Sequence, residues 1–550
     1  MDKDSIDFQD GYLINDFDGE NCPACVNWNP SKLLSKLYEI SYIPRKESKR
    51  CRFTNMEGHL EVPVEDGTIM AELQKTWATK YFRTRDGRLQ WFASHFADDH
   101  PVGEILLSGC EIKANKENGT FMIRGGKNHV NMLVRANPTT NVFDKWRRAL
   151  TTHSASSYMD VFVHPVPPPI PHITEKVVII ELGTTSFRAG LLTMEPSLPQ
   201  IFFPNVCLVK ENGKVIAGNE AFLPENRHSG KLVRTVRASS PTSGNFEIEK
   251  VALKACIEKC LRGLAIQPKS YRMLLSVPQD IPTAAIADML RLFLREFGFM
   301  GVAISRQPSL VLYGYDATTG VVVEIGDAVS IVPIIDGYVL DNAIISLPYG
   351  ARQISRALQE YLNEVDMGSF QFQSPVERLI LRYVMEQSCY LAVDYENEAK
   401  KSEEQVKTII SLDEFDLDAG MPTSFTVSTA RFETTEGLFK PKKWDMDTKG
   451  LHYLVNDAVQ RSPIDTRKTL LRNIYLAGGA SLLPGLAERL EMEISSLVSP
   501  ALHTEVHISP WRYHVAYLGA QVVASSNAFD QTCVTRDTLD AFVVSLQSSV

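Results

Sequence analysis

The chain has 550 residues, too many for one hydrophobic core, so two or three domains are expected. With 44% hydrophobic and 22% charged residues its composition is that of an ordinary globular protein, and a formal net charge of −9 argues against non-specific nucleic-acid binding, which needs a basic footprint. Nine scattered cysteines point to a reducing compartment, no apolar run approaches a membrane span, and the acidic start MDKDSIDFQD is unlike a signal peptide.

Residues 1–54 are expected to be a partly disordered extension, with seven acids against Lys3 in the first twenty positions. Cys22-Pro-Ala-Cys25 has metal or redox spacing. Only Cys51 and His59 lie near it, and zinc sites usually bring two ligand pairs, so free thiols are the simpler reading. Leu33, Leu34, Leu37 and Ile40 recur at helical spacing, which predicts a helix within 29–43, capped by Ser31.

Residues 55–155 read as short strands followed by one helix. TKYFRTRDGRLQWF is a hairpin on Asp86-Gly87; GEILLSGCEIK, TFMIRGG and HVNMLVRAN are further strands. NVFDKWRRALTTH is a helix with Val142, Trp146 and Ala149 on one face. KYFRTRDGRLQWF and VFDKWRRAL make this stretch resemble a pleckstrin homology domain, a small β-barrel or sandwich with a C-terminal helix. Many such domains bind inositol phosphates through the first hairpin, so the resemblance implies Lys75, Lys80, Arg83 and Arg85 as lipid-binding candidates. Thr79 stands where a further lysine is common, which leaves a protein-binding module as the competing reading and a phosphoinositide membrane as a weak partner. VHPVPPPIP, within a linker of residues 156–174, suits an extended polyproline II spacer.

The stretch VVIIELGTTSFRAGLL, Val177 to Leu192, reads as a buried strand, a tight turn and a returning strand. Gly183 permits close backbone approach to a ligand, Thr184 and Thr185 offer donors, and Arg188 offers a fixed charge. Glu181 at the strand end suits the waters of a Mg²⁺ ion. Gly320 to Ile335, GVVVEIGDAVSIVPII, repeats the design with Glu324, Gly326 and Asp327. In NIYLAGGASLLPGL a strand ends at Gly478-Gly479 before a helix. Two acid–glycine hairpins and a strand–glycine–helix turn predict a duplicated α/β fold closing on a nucleotide.

These phrases, with LLSVPQDIP, CYLAVDYE, RFETTEGLFKP, SPIDTRKTL, LAGGASLLPGLAERL and YLGAQVVAS, make residues 175–550 resemble actin and the actin-related proteins. The resemblance implies an α/β actin-like fold, two duplicated ribonuclease-H-like domains around a nucleotide cleft, with ATP or ADP and Mg²⁺ or Ca²⁺ as cofactors. It assigns Gly183, Thr184, Thr185, Arg188, Gly326, Asp327, Ala328, Arg382, Glu386, Gly478, Gly479, Ala480 and Leu482 to the nucleotide. Glu181, Glu324 and Asp327 fall to the metal through water, and Gln307 to positioning the attacking water. It also implies cytoplasmic, cytoskeletal localisation and actin, actin-related proteins or dynactin subunits as partners, SPIDTRK being the phrase that points to dynactin.

Several positions depart from the family pattern. Arg188 replaces a lysine, Thr185 a glycine, Met385 a basic nucleoside contact, and Tyr513 a lysine that packs on adenine. AVSIVPI after Asp327 is one residue short and lacks the histidine that helps relay a proton, so any ATP hydrolysis is expected to be slow. Only eleven residues separate Val206 from Gly218, where actin carries a longer loop used between filament subunits. The expectation is a divergent, non-polymerising actin-related protein that binds ATP or ADP as a structural ligand and acts as a filament-end or complex subunit of a dynactin-like kind. The alternatives are a phosphoinositide-recruited adaptor, a chromatin-associated or other ATPase of this fold, and a sugar kinase; the phrases around Phe432 and Pro463 argue against the last.

Overall fold

The computed structural model describes residues 23–39, 56–63, 77–85, 88–92, 101–107, 110–125, 130–138, 141–154, 176–193, 197–238, 246–347, 349–365, 370–500 and 502–548. Residues 1–22 with Cys22, the residue Lys75, the turn Asp86-Gly87 and the proline-rich linker lie outside the described residues. Two compact units form, one from residues 56–154 and one from residues 23–39 with nearly all of the body from 176 to 548. The first helix, α1 (Ser31–Leu37), is shorter than expected. Its first-turn acceptor is Asn29 Oδ1, which takes hydrogen bonds from the Ser31 N–H at 3.0 Å and its hydroxyl at 2.6 Å. Ser31 is therefore the first helical residue rather than the cap, a shift of the kind local propensity cannot resolve.

The smaller unit is one antiparallel sheet of seven strands: β1 (Glu57–Pro63), β2 (Trp77–Arg85), β3 (Arg88–Phe92), β4 (Gly103–Leu106), β5 (Cys110–Asn115), β6 (Thr120–Gly125) and β7 (Val130–Arg135). Their order is β4-β3-β2-β1-β7-β6-β5. The hairpin register pairs Arg85 with Arg88, as a two-residue loop requires. The described strands do not close into a barrel; β4 and β5 are the two edges. The helix α2 (Asn141–Ser154) buries Phe143, Trp146 and Leu150 in a core with Leu60, Phe82, Phe121 and Val134, and Phe121 stacks on Phe143 at 4.5 Å. Lys80 and Arg83 lie three apart on β2, so a strand's period of two sends them to opposite faces. Arg83 lies over the Phe92 ring, 4.7 Å from its centroid.

The larger unit repeats one design. β8 (Val177–Leu182) and β9 (Ser186–Leu191) form a hairpin, followed at the edge by β10 (Ile201–Pro204). An outer sheet follows, of β11 (Val206–Lys210), β12 (Val215–Ala217) and β13 (Gly230–Arg234), then a short pair β14 (Val236–Ala238) and β15 (Phe246–Ile248). β16 (Arg272–Val277) runs parallel to β8, and β17 (Gly301–Arg306) parallel to β16. The second half has its own hairpin, β18 (Gly320–Ile325) and β19 (Val329–Ile335), with β20 (Tyr338–Val339) and β21 (Ile345–Leu347) on β19. A small outer pair, β22 (Thr408–Ser411) and β23 (Ser424–Val427), precedes β24 (Ile474–Ala477), which is parallel to β18. Each half is thus a hairpin whose first strand also takes a parallel neighbour, the duplication the two acid–glycine phrases implied.

Every residue of β8 is buried because the strand lies mid-sheet with both faces covered. Val178, Ile180 and Leu182 enter a core shared with the helices Lys250–Gly263 and Thr283–Arg291. Val177 and Ile179 point the other way, into a core with the helices Gln307–Gly314 and Val515–Ala524 and with Val322, Val332 and Tyr475 of the second half. Those two helices touch through glycine: a Cβ on Gly519 would fall 1.7 Å from Leu310 O. This shared core joins the two halves of the body.

Candidate functional site in the cleft

The first turn, Gly183 to Thr185, follows directly from β8. Glu181 on β8 stands opposite Arg188 on β9, and cross-strand neighbours of opposite charge meet readily. Arg188 Nη1 donates to Glu181 Oε1 at 2.7 Å and to Ser186 Oγ at 3.0 Å. Its Nη2 donates to Tyr513 O and its Nε to His514 Nδ1, both at 2.9 Å. The guanidinium also lies against the rings of Phe202 and Tyr513, 4.8 and 4.6 Å from their centroids. Arg188 and Glu181 are both buried. Burial pushes the Glu181 carboxyl up despite Arg188, and burial, with Arg188 adding to it, holds His514 well below the ordinary imidazole range, so His514 is a neutral acceptor.

The second turn, Gly326 to Ala328, carries Asp327. Arg234, from the outer strand β13 of the other half, reaches it at 2.8 Å, and Arg352 stands 3.8 Å away. Burial alone would raise Asp327, but the two arginines outweigh it and its carboxyl is held low. Glu324, two residues into the strand before that turn, is pushed up to about 7 by burial first and by the charge of Glu181 second. Gln307 begins its helix, is buried, and donates its amide to Leu182 O at 3.2 Å.

The third turn follows β24. Glu324 pairs in register with Ala477, which sets Gly478 beside the second hairpin. Gly478 has φ +85°, and a Cβ there would lie 2.6 Å from Ile325 O, so the turn admits glycine alone. Gly479 is exposed, with a virtual Cβ 3.4 Å from Tyr513, while Ala480 and Leu482 are buried in the short helix Gly479–Leu482. On the helix Pro375–Ser388, Arg382 Nε donates to Glu386 at 2.8 Å, Nη2 to the Tyr513 hydroxyl at 3.2 Å and Nη1 to the Tyr38 hydroxyl at 2.8 Å. Burial would lower Arg382, yet Tyr38 and Glu386 more than offset it and its charge is firmly held.

The fold brings residues of the three turns together: Arg188 and Arg382 both bond Tyr513, Gly479 lies beside that ring, and Glu324 feels the charge of Glu181. It adds Tyr38, Phe202, Arg234, Arg352 and His514, none of which carried a local signal. The donor chemistry decides what fits. For a hydrated divalent cation the pair Glu181 and Glu324 is suitable. The second oxygen of Glu181 is buried and makes no full hydrogen bond among the described residues, although the Tyr517 backbone N–H faces the carboxylate. No cluster of three metal-ligating side chains occurs among the described residues, so such an ion would be held through its waters. Several of the groups that the resemblance assigns to a nucleotide engage one another in this arrangement. Arg188, Arg234 and Arg382 already hold carboxylates, and the turn amides of Gly183 and Gly326 donate to Ser186 O and Ala328 O.

Comparison with known proteins agrees with the architecture. Centractin of Schizosaccharomyces pombe is 31% identical over 274 residues, which cover 49% of this chain and 69% of that relative. The family model described as Actin matches residues 173–541, taking in both hairpins, the outer sheets and the Gly478-Gly479 turn. The duplicated hairpins and that match together establish that this chain belongs to the actin family.

Proposed function

We propose that this chain is a non-polymerising actin-related subunit that joins one end of an actin-related filament, in the cytoskeleton of the cytoplasm and within a dynactin-like assembly. The observation that carries the reading is the outer sheet. β11 and β12 are joined by Glu211 to Lys214 alone, closed by the Lys210 N–H to Lys214 O and the Gly213 N–H to Lys210 O, both at 2.9 Å. This tight turn stands where the resemblance leads one to expect a longer loop that contacts the next filament subunit. A chain without it keeps one assembly surface and lacks part of the other, and a heterologous filament needs both to propagate. Similarity to centractin supports actin-related neighbours as partners.

Turnover of ATP has no part in this reading. Gln307 is buried against Leu182, and no histidine lies between Asp327 and Ile335. Under actin-polymerising salt, negative-stain electron microscopy of the purified chain is expected to show single particles and no filaments. Long homopolymers would overturn the proposal.

A further inference from the structure

We propose that the cleft's resident ligand is a segment of the chain itself, residues 23–38, with Tyr38 seated among the groups that the family resemblance assigns to the nucleotide. Tyr38 is buried, 7% exposed, although it lies just beyond a short surface helix. Its hydroxyl accepts from Arg382 at 2.8 Å and donates to Thr185 O at 3.4 Å. Its ring meets Phe202 edge-on at 5.1 Å, and the Arg382 guanidinium lies 4.8 Å from the ring centroid. Arg382 in turn bonds Tyr513. Three positions expected to touch nucleotide or adenine thus touch a tyrosine or its guanidinium partner instead. Burial raises the Tyr38 hydroxyl above its ordinary range, so it stays neutral and bonds as a phenol.

The rest of the segment is fastened to both sides of the cleft. On one side Arg227, between the outer strands β12 and β13, is buried and donates to the segment's carbonyls. Its Nη2 reaches Cys25 O and Val26 O at 2.6 Å each, and its Nη1 reaches Trp28 O at 2.9 Å. His228 Nε2 adds a contact to Val26 O at 3.0 Å. On the other side Trp28 is fully buried, and its indole N–H donates to Phe415 O, between β22 and β23, at 3.1 Å. Lys32 pairs with Asp416 at 2.7 Å, and Leu33, Leu34 and Leu37 are buried on the face of α1 that packs on the helix Pro375–Ser388. Ordering a chain segment costs conformational entropy at every residue. The buried indole, the leucines and the carbonyls held by Arg227 supply what offsets it.

The segment and the direct Arg234–Asp327 bridge together tie the two halves of the body. Four carboxyls line the cleft (Glu181, Glu324, Asp327, Glu386) and four guanidiniums answer them (Arg188, Arg234, Arg352, Arg382). This inference does not depend on the filament-end reading.

The test uses the full-length protein. Nucleotide is released by acid precipitation and quantified by ion-exchange chromatography. Melting is followed with and without millimolar Mg-ATP, and amide exchange is followed across residues 23–38. The expected results are far less than one equivalent of nucleotide, a melting shift below about 1 °C, and slow exchange in the segment that Mg-ATP leaves unchanged. Near-stoichiometric ATP or ADP, or a melting rise of several degrees, would overturn the proposal. Fast exchange of residues 23–38 in nucleotide-free protein would overturn it equally. The conservative variant Tyr38→Phe keeps the ring and removes the hydroxyl, and it should speed exchange of the segment while the body stays folded. Exchange identical to wild type would show that Tyr38 does not anchor it.

Discussion

Arg188→Met is expected to destabilise the actin-like body by about 3–5 kcal/mol, the usual cost of removing one partner of a buried ion pair. Arg188 is 4% exposed and holds four acceptors at once: Glu181, Ser186, His514 Nδ1 and Tyr513 O. Methionine fills much of the volume but leaves the Glu181 carboxylate buried and uncompensated. Arg188→Lys keeps the charge, yet one ammonium on a flexible stem cannot reproduce a planar fork aimed at acceptors on three elements. Its cost should fall between wild type and methionine. The double variant Glu181→Gln with Arg188→Met should recover much of the loss, because both members of the pair become neutral. Chemical denaturation followed by tryptophan fluorescence measures all three. A single methionine variant as stable as wild type would contradict the assignment of Arg188 as a structural counter-ion.

Glu324→Gln should stabilise the chain above neutral pH by about 2–3 kcal/mol and change little at about pH 4 and below. Glu324 titrates at about 7 in the folded chain, because of burial first and the charge of Glu181 next. In an unfolded chain glutamate titrates at about 4.3. Between those values the folded state holds a proton that the unfolded state has released. Its contribution is therefore fully present below the unfolded value and is lost as pH rises to about 7. Glutamine mimics the protonated acid at every pH, so wild type falls behind it as pH rises. Millimolar Mg²⁺ should narrow that gap, since a nearby cation favours the charged carboxylate. A difference between the two proteins that is independent of pH would contradict the raised titration of Glu324.

Much of this arrangement is legible in the sequence where the signal is local. The runs VVIIE and VVVEI are continuous and β-branched, as central strands are, and the glycine and acid that follow mark the two turns. Repetition of that phrase gave the duplication, and NIYLAGG gave the third turn. What sequence reasoning missed depends on contacts far apart in the chain. Tyr38 and Arg382 are separated by 344 positions, and Trp28 and Phe415 by 387. Nothing in NWNPSKLLSKLYE says which surface its leucines cover. The one available hint was a tryptophan and a run of leucines inside an otherwise acidic extension, a pattern too apolar for a wholly solvated tail. Arg234 was unremarkable for the same reason: its strand neighbours gave no sign that its side chain crosses to Asp327. At Arg188 the sequence suggested a phosphate ligand, and the folded chain turns that charge on the acid directly across the hairpin.

The filament-end reading is tested most directly by watching single filaments assembled from a centractin-like protein while this chain is added in substoichiometric amounts. The account predicts that growth stops at one end only, that fluorescently labelled chain is found at that end as a single copy, and that the opposite end grows at its normal rate. Labelled chain incorporated along the filament length, or unchanged growth at both ends, would contradict it.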